Sequence, residues 1–256
     1  MNKSLLCELS VNKSVNSELF VLQFNWNGPA PKAGQFFMLK PARTSVFLPR
    51  PVSVFEYSAQ QGVLKFLIAR RGTGTNELSN LQAGEKVQIT GPFGNAWADF
   101  LPESGKAALV AGGVGAAPLA ALAAEKPDFN FHFFAGFKNG FRDKDEENTV
   151  LASAVNAKKL VITAEDGINA LNGRITDFFF EPESYDVIFG CGPAAMLRAL
   201  KKKCEGKNVR CFLSIERRMA CGVGACLGCI VQTGKGNRLC CKDGPIFDAW
   251  EITFDE

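Results

Sequence analysis

The sequence predicts a β-barrel plus α/β fold: an antiparallel barrel, then a domain with a parallel sheet, then a cysteine-rich C-terminal loop subdomain. The first hundred residues hold short apolar segments that are cut by turns. A buried strand, a glycine-rich turn and a helix follow residue 106, and cysteines cluster near the C-terminus. We place the domains at residues 1–101, 102–207 and 208–256, and a chain of 256 residues is long enough for them.

The barrel is predicted from the frequency of its strands. Alternating apolar residues at 19–24, 35–39, 63–68 and 86–90 are separated by turn residues. Because most of these strands have no convincing helix between them, a small antiparallel barrel is favoured over an α/β arrangement. The one helix that we predict here is short, from Asn76 to Leu81.

Two segments of the barrel carry unusual chemistry. Arg50-Pro51-Val52-Ser53 sets a fixed cation and a hydroxyl beside a rigid proline. In the segment from Arg70 to Asn76, Gly74 and Thr75 stand where backbone N–H groups could cradle a phosphate. Taken singly, an arginine is more often a solvated surface residue, and a Gly-Thr-Gly run is more often a turn. Together, on neighbouring strands, they suggest a pyrophosphate held by an arginine and a loop.

The second domain begins with a buried strand at 107–111, followed by a glycine-rich turn and an Ala/Leu-rich helix. A strand, turn and helix of this kind is the usual place for a dinucleotide pyrophosphate, although this turn is not a strict G-x-G-x-x-G. A later strand at 186–190 leads into a second turn of small residues. Because such turns share the carboxyl edge of a parallel sheet, we expect both to bind a dinucleotide. The residues concerned are Gly112, Gly113, Gly115, Cys191, Gly192 and Pro193.

Three further residues of this domain have open interpretations. Lys138 and Arg142 follow the strand at 129–137, where they could meet a ribose 2′-phosphate, but a solvated loop from 138 to 147 is the blander account. His132, the only histidine, stands among phenylalanines and is interpreted as a packed strand residue.

Composition excludes several classes of protein. The chain is 46% hydrophobic and 21% charged, as globular proteins are. A net charge of +3 gives no argument for binding nucleic acid or a membrane surface. The N-terminus meets Glu8 before any long apolar run, so we interpret it as a strand and not as a signal peptide. Nine cysteines without a targeting signal indicate a reducing compartment, and we expect a cytoplasmic protein.

The cysteine pattern near the C-terminus is the most specific signal in the chain. Cys221, Cys226 and Cys229 have the spacing C-x4-C-x2-C, and the pair Cys240-Cys241 follows. Three ligands in one loop with a distant fourth is the plant-type [2Fe–2S] pattern, whereas zinc ribbons usually show two similar C-x2-C pairs. Only one of the adjacent pair is expected to reach the cluster. We favour Cys241, which opens a turn-forming run, and leave Cys240 buried on the preceding strand.

The order of barrel, nucleotide sheet and cysteine loop resembles the ferredoxin–NADP reductase superfamily. The chain is similar over nearly its whole length to the electron-transfer subunits of NAD-dependent (class 1B) dihydroorotate dehydrogenases. The likeness is most specific at the cysteine loop and at the segment from Cys241 to Phe247. Further points of resemblance are Arg50 to Ser53, Ala111 to Gly115 and Gly190 to Pro193.

The resemblance implies cofactors and a partner. It implies cluster ligands Cys221, Cys226, Cys229 and Cys241, and NAD(H) as substrate. It implies a partner subunit that holds FMN and oxidises dihydroorotate, in a heterotetramer with two copies of each chain that serves pyrimidine biosynthesis. The FAD contacts that it implies are Arg50, Pro51, Val52, Ser53, Leu67, Ile68, Ala69, Gly74 and Thr75.

Other functions remain open at this stage. A different flavin and iron–sulfur reductase, such as a ferredoxin:NAD(P)+ oxidoreductase subunit, would use the same cofactors with another partner. A redox sensor would show no nucleotide-driven flavin reduction. A zinc-stabilised binding module would be colourless. The short segment between Cys229 and Cys241 departs from the family pattern, and the loop after residue 137 leaves the choice between NAD and NADP open.

Overall fold

Seven antiparallel strands of the N-terminal half form one curled sheet in this computed structural model, which describes residues 3–152, 154, 157–179 and 181–254. The strands are β1 (Lys3–Ser14), β2 (Leu19–Asn25), β3 (Phe36–Pro41), β4 (Arg50–Ser53), β5 (Glu56–Ser58), β6 (Val63–Ala69) and β7 (Lys86–Phe93). Their order in the sheet is β4-β3-β7-β1-β2-β6-β5. Because the two edge strands β4 and β5 are joined by only Val54 and Phe55, the sheet must curl until its edges meet.

One helix interrupts the barrel, and it differs from the prediction. Helix α1 runs from Thr73 to Ser79, not from Asn76 to Leu81. The Thr75 hydroxyl oxygen accepts hydrogen bonds from the backbone N–H groups of Arg71 (2.9 Å) and Gly72 (3.2 Å), so helical structure begins within the Gly-Thr-Gly run. The sequence prediction treated that run as a loop because glycines usually mark turns.

The second sheet has six parallel strands in the order typical of nucleotide-binding α/β domains. Strands β8 (Lys106–Gly112), β9 (Asn130–Phe137), β10 (Lys159–Ala164), β11 (Leu171–Asn172), β12 (Val187–Cys191) and β13 (Arg210–Ser214) are parallel. They lie in the order β11-β10-β9-β8-β12-β13. The chain winds outward from β8 to β11 and then restarts beside β8 with β12, so the topological switch point falls between β8 and β12.

Four helices in the described part of this domain belong to the sheet, and a small subdomain follows it. The helices are α2 (Ala116–Glu125), α3 (Lys144–Leu151), α4 (Ile175–Phe178) and α5 (Ala194–Cys204). The subdomain contains the hairpin β14 (Ile230–Thr233) and β15 (Gly236–Leu239) and helix α6 (Cys240–Asp243). The last strand, β16 (Ile246–Asp248), pairs antiparallel with β13 and so fixes the subdomain to the nucleotide sheet. The β-barrel plus α/β fold class predicted from the sequence is confirmed.

The three parts share hydrophobic cores. Barrel residues Leu67 and Trp97 lie in one cluster with Leu109 and Phe133 of the parallel sheet. Met38 and Phe93 of the barrel lie in another, together with the cysteine subdomain. Because each fully buried large apolar side chain contributes about 2 kcal/mol, these shared cores hold the parts in a fixed arrangement. The cavities between them are therefore preformed.

Candidate functional site

An inner cavity of about 220 Å³ lies where the barrel, the parallel sheet and the C-terminal subdomain meet. We use "inner cavity" for this space throughout. Its wall contains Phe36 of the barrel and Pro118 of the second domain. The C-terminal part supplies Glu216, Met219 and Pro245. The residues predicted from the sequence that line it are Pro51, Val52, Ser53, Leu67, Ile68, Ala69, Thr75, Gly115 and Cys191.

Arg50 lies beside the inner cavity with an unused donor. Its guanidinium donates one hydrogen bond, from Nη2 to the carbonyl oxygen of Leu48 (3.1 Å). Its Nε is buried and has no hydrogen-bond partner among the described residues. A buried N–H without a partner is costly, so this atom fits a site for an external acceptor such as a phosphate oxygen.

Gly74 makes the position of Arg50 possible. A β-carbon at residue 74 would lie 2.9 Å from Cζ of Arg50, which is closer than carbon atoms can approach. The two predicted phosphate segments therefore touch one another. An arginine beside backbone N–H groups is a suitable environment for the pyrophosphate of a flavin nucleotide.

An outer groove of about 570 Å³ runs along the carboxyl edge of the parallel sheet. Of the predicted residues, Gly112, Gly113 and Pro193 line this outer groove, as Ala69 does from the barrel side. Ala69, Arg71 and Val114 line both the outer groove and the inner cavity, so the two spaces adjoin. A dinucleotide in the groove can thus reach a group bound in the inner cavity.

Small residues bring the two turns at the switch point into contact. A β-carbon on Gly115 would lie 2.6 Å from the carbonyl carbon of Cys191, and one on Gly192 would lie 2.9 Å from Cα of Gly112. Burial, with a smaller contribution from Glu216, raises the pKa of the Cys191 thiol to about 12, so Cys191 stays neutral at physiological pH. We expect it to shape the wall by packing and not by nucleophilic chemistry.

Arg71 is a site residue that sequence reasoning did not single out. Its neighbour Arg70 is fixed by hydrogen bonds to the carbonyl oxygens of Asn16 (2.9 Å) and Leu19 (3.2 Å). Arg71, in contrast, lines both cavities and is exposed. The sequence contained one signal for it, the pair Arg70-Arg71, but nothing there distinguished the fixed arginine from the exposed one.

The structure shows the contacts of the three residues in the second domain whose roles the sequence left open. Arg142 donates from Nε to Oε1 of Glu146 (2.7 Å), whereas Lys138 lines the outer groove. Nδ1 of His132 lies 3.1 Å from the hydroxyl of Tyr185, within a strand and outside both cavities. The loop after Phe137 is only partly irregular, because α3 begins at Lys144.

The cysteine loop supplies sulfur atoms and backbone donors at short distances. The N–H of Gly224 lies 3.1 Å from Sγ of Cys241, and that of Cys226 lies 3.5 Å from Sγ of Cys221. The N–H of Cys241 lies 3.4 Å from Sγ of Cys229. Hydrogen bonds of this kind stabilise thiolates that ligate iron.

The thiols fall into two interacting pairs. Partial desolvation raises the pKa of Cys221, but N–H donors from Val223 and Cys226 and the Cys226 thiol outweigh it and lower the value to about 6. Burial, together with the neighbouring Cys229, raises the pKa of Cys241 to about 12. No three metal-binding side chains of the described residues surround one point. Two pairs of thiols fit a cluster of two irons, each of which takes two thiolates.

Cys240 differs from Cys241 in direction. Its Sγ donates to the carbonyl oxygen of Ile215 (2.9 Å), away from the loop, and the side chain is fully buried. The prediction placed Cys240 on the preceding strand, and this is wrong: β15 ends at Leu239, and Cys240 begins α6. The helical turn separates the directions of two adjacent side chains by about 100°.

Comparison with known proteins first defines the class. A family model described as the oxidoreductase FAD-binding domain matches residues 6–97. A solved NADH-dependent reduced ferredoxin–NADP oxidoreductase superposes with a TM-score of 0.81 at 21% identity, over 99% of this chain and 91% of that chain. A ferredoxin–NADP+ reductase from Neisseria gonorrhoeae superposes with a TM-score of 0.64 at 16% identity, over 80% of this chain and 92% of that chain. The fold is thus that of the ferredoxin reductase-like flavoprotein oxidoreductases.

The family follows from the C-terminal part and from curated relatives. A model of the iron–sulfur cluster binding domain of dihydroorotate dehydrogenase B matches residues 216–253. The "dihydroorotate dehydrogenase B (NAD(+)), electron transfer subunit" of Clostridium acetobutylicum is 39% identical over 88% of this chain and 87% of its own length. That of Caldanaerobacter subterraneus subsp. tengcongensis is 35% identical over 95% of this chain and 96% of its own. The chain belongs to the family of dihydroorotate dehydrogenase B electron transfer subunits.

These matches bear on the earlier expectations. The predicted family, the FAD and iron–sulfur cofactors and the class of NAD-dependent oxidoreductase subunit are confirmed. None of the helices in the described part of the chain has the length and apolar character that a bilayer span requires. The assignment of individual cofactor and cluster residues stays a prediction.

Proposed function

We propose that this protein passes electrons between NAD(H) and an FMN-containing subunit that oxidises dihydroorotate. The overall reaction would be dihydroorotate + NAD+ → orotate + NADH + H+, a step of pyrimidine biosynthesis. The observation that carries the proposal is the position of the inner cavity. One wall adjoins the outer groove at Val114, and the other contains Met219, two residues before Cys221. A cofactor in this cavity would lie between a bound nucleotide and the cysteine loop.

Residues of this chain would hold the cofactors without taking part in bond making. FAD, when bound, supplies the conversion between a two-electron hydride transfer and single-electron steps. Arg50 would neutralise its phosphates, and Ser53 would orient its ring by a hydrogen bond. The small residues at Gly112 and Gly115 would let a nicotinamide approach that ring. Cys221, Cys226, Cys229 and Cys241 would ligate the [2Fe–2S] cluster.

The partner is proposed to dock over the cysteine loop. Val223 and Leu227 are 57% and 59% exposed there, although apolar side chains of this size are usually covered. Gly222 lies against the barrel, because a β-carbon there would meet Cγ of Met38 at 3.1 Å. The loop is therefore held rigidly while its apolar residues face outward. We propose a heterotetramer with two copies of each chain.

The compartment is proposed from the cysteines. All nine are free thiols, and five of them belong to no proposed ligand pair. A set of free thiols is maintained where glutathione keeps the environment reducing. We propose the cytoplasm as the place of action.

The deciding experiment is an assay for NADH-dependent orotate reduction. The protein would be affinity-purified without oxygen from its own host, so that a partner comes with it. We expect FAD, FMN and two irons per copy of this chain, and turnover of orotate. If NADH bleaches flavin and cluster but orotate is not reduced, the proposed electron transfer from NADH through flavin and cluster is retained and the proposed partner is rejected. The copurifying protein would then show which partner accepts the electrons. A colourless protein that contains zinc would reject electron transfer altogether. Bound flavin that NADH does not reduce would favour a redox-sensing protein.

A further inference from the structure

A pair of phenylalanine rings lies between the inner cavity and the cysteine loop. Phe36 lines the inner cavity, and its ring centroid lies 5.7 Å from that of Phe93. Phe93 in turn lies against the loop, because a β-carbon on Gly222 would be 3.3 Å from Cε2 of Phe93. Gly222 directly follows the first predicted cluster ligand, Cys221. The two rings therefore connect the space predicted for FAD with the loop predicted to hold the cluster.

A bulge in β7 places Phe93 on this side of the barrel. On a regular strand Phe93 would share the face of Ile89, which lies in the barrel core. The register of β3 against β7 shifts between Phe36 and Met38, so that β7 carries one extra residue there. An extra residue turns the side chains that follow it to the other face of the sheet. Phe93 consequently packs outside the barrel, in the apolar cluster that includes the cysteine subdomain.

The turn after β7 holds the segment that follows the fourth predicted ligand, Cys241. The backbone N–H of Asn95 donates to the carbonyl oxygen of Gly244 (2.8 Å). The side-chain amide of Asn95 donates to the carbonyl oxygen of Ile246 (2.8 Å) and accepts from the N–H of Ile246 (3.1 Å). The end of β7 therefore contacts both segments that carry predicted cluster ligands, one through Phe93 and the other through Asn95.

The surroundings of the ring pair leave it little freedom. Phe36 and Phe93 are 3% and 4% exposed, so water is excluded from the space between them. A β-carbon on Gly94 would lie 3.2 Å from Cε1 of Phe36 and 2.6 Å from Cδ of Pro245, so the turn also packs tightly against both parts. Side chains that are packed on all sides cannot shift without displacing their neighbours. The separation of the two sites is therefore set by the fold.

We propose that Phe93, supported by Phe36, is a positioning residue that fixes the distance between flavin and cluster and so sets the rate of electron transfer between them. The inference rests on the proposed function. In this step one electron leaves the flavin that NADH has reduced, and it reduces one ferric iron of the cluster; no bond is made or broken. The rate falls steeply with distance, because orbital overlap decays through the intervening medium. A gap in the packing weakens that overlap further.

The first test measures this electron transfer in Phe93→Leu. A laser flash with an external photoreductant injects one electron without NADH, and the absorbances of flavin and cluster then follow its passage between the two centres. We expect the variant to slow this passage about tenfold, because small displacements of reacting groups have large effects on rates. Flavin reduction by NADH in stopped flow should be unchanged, since Phe93 is part of neither cavity wall in the described structure.

Hydrogen–deuterium exchange tests the positioning without electron transfer. We expect the backbone N–H groups of residues 221–226 to exchange faster in Phe93→Leu, because the loop loses its support on the barrel. Phe24→Leu is the matched control. Phe24 is fully buried and has an aromatic neighbour, Phe66 (6.1 Å), but it lies in the barrel core. The control loses the same atoms and should change neither measurement.

A second variant serves if Phe93→Leu does not fold. Asn95→Ala alters a partly exposed residue and removes the two side-chain hydrogen bonds to Ile246, so it should also slow the electron transfer. A wild-type rate in the variant that folds, or an equal slowing in Phe24→Leu, overturns the inference. If the wild type shows no transfer between flavin and cluster, the proposed function fails, while the exchange measurement still decides whether Phe93 holds the loop.

Discussion

Arg50 lies over Gly74 so closely that a side chain at residue 74 would have to displace it: a β-carbon there would be 3.0 Å from Cδ and 2.9 Å from Cζ of the arginine. The guanidinium is thereby held beside the start of α1 with its Nε unpaired. Two short segments that are each ambiguous in the sequence form one site when they are in contact. This contact supports two predictions.

Replacing Arg50 by Ala should weaken FAD binding. The change removes a half-buried cation whose hydrogen bonds to phosphate would each contribute about 1.5–3 kcal/mol, so we expect at least tenfold weaker retention of flavin. The measurement is flavin absorbance per mole of protein after gel filtration. Arg43→Ala, an exposed arginine on the loop before β4, is the control and should keep its flavin. Equal flavin content in the two variants would remove Arg50 from the site.

Replacing Gly74 by Ala should lower FAD occupancy without lowering the stability of the protein. Alanine favours a helix over glycine by about 1 kcal/mol, and Arg50 can swing aside, so we expect unfolding in urea to occur at the same or a higher concentration. The displaced guanidinium should nevertheless lower flavin occupancy. Gly72→Ala is the matched control, since a β-carbon there meets nothing within 4 Å. Full flavin occupancy in Gly74→Ala would show that the position of Arg50 does not matter.

Replacing Cys241 by Ser should prevent assembly of the cluster, whereas Cys240→Ser should not. Sγ of Cys241 lies 3.1 Å from the N–H of Gly224 in the loop, while Sγ of Cys240 donates to the carbonyl oxygen of Ile215, a bond that serine can also make. Iron content and the visible absorbance of anaerobically purified protein decide the matter. Two irons in Cys241→Ser, or none in Cys240→Ser, would contradict the choice of the fourth ligand.

Replacing Gly115 by Ala should destabilise the protein and weaken nucleotide binding. The new methyl group would lie 2.6 Å from the carbonyl carbon of Cys191, and backbone of this kind cannot move aside as a side chain can. We expect a loss of about 1–3 kcal/mol in the free energy of unfolding, as for overpacked cores, and a higher KM for NADH. Gly234→Ala, where a β-carbon meets nothing within 4 Å, should change neither. Wild-type stability in Gly115→Ala would mean that the two turns are not in contact.

The fold could be predicted from the sequence because each strand and turn has a recognisable local pattern of residues. Alternating apolar residues indicated the barrel, and the strand before Gly112 indicated the nucleotide sheet. The sequence could not predict that Arg50 and Gly74 touch, since this depends on how the barrel curls. Nor could it distinguish Arg70 from Arg71, because the distinction comes from the carbonyl groups of Asn16, in the turn between β1 and β2, and of Leu19, at the start of β2.

The predictions that were wrong concern positions where a single side-chain contact changes the local structure. Helix α1 starts three residues earlier than predicted, because the Thr75 hydroxyl binds the N–H of Gly72 and turns a loop signal into a helix start. Cys240 lies in a helical turn, so its direction relative to Cys241 is not that of a strand. Arginine is a residue type that often binds phosphate, but the side chain of Arg142 is hydrogen-bonded to Glu146, four residues away. Side-chain contacts of this kind are not specified by residue type alone.

His132 should make stability depend on pH in a predictable direction. Burial, aided by Lys106 and Lys159, lowers the pKa of this imidazole below its usual value near 6.5. The folded state therefore binds a proton less readily than the unfolded chain, and its stability is full above pH 6.5 and falls as the pH drops below that value. His132→Gln, which leaves no histidine in the chain, should flatten the dependence of the urea midpoint on pH between 7.5 and 5.5. The carboxylates are common to both proteins, so they contribute the same slope to each curve. Parallel curves would show that the imidazole takes up its proton equally well in the folded and unfolded states.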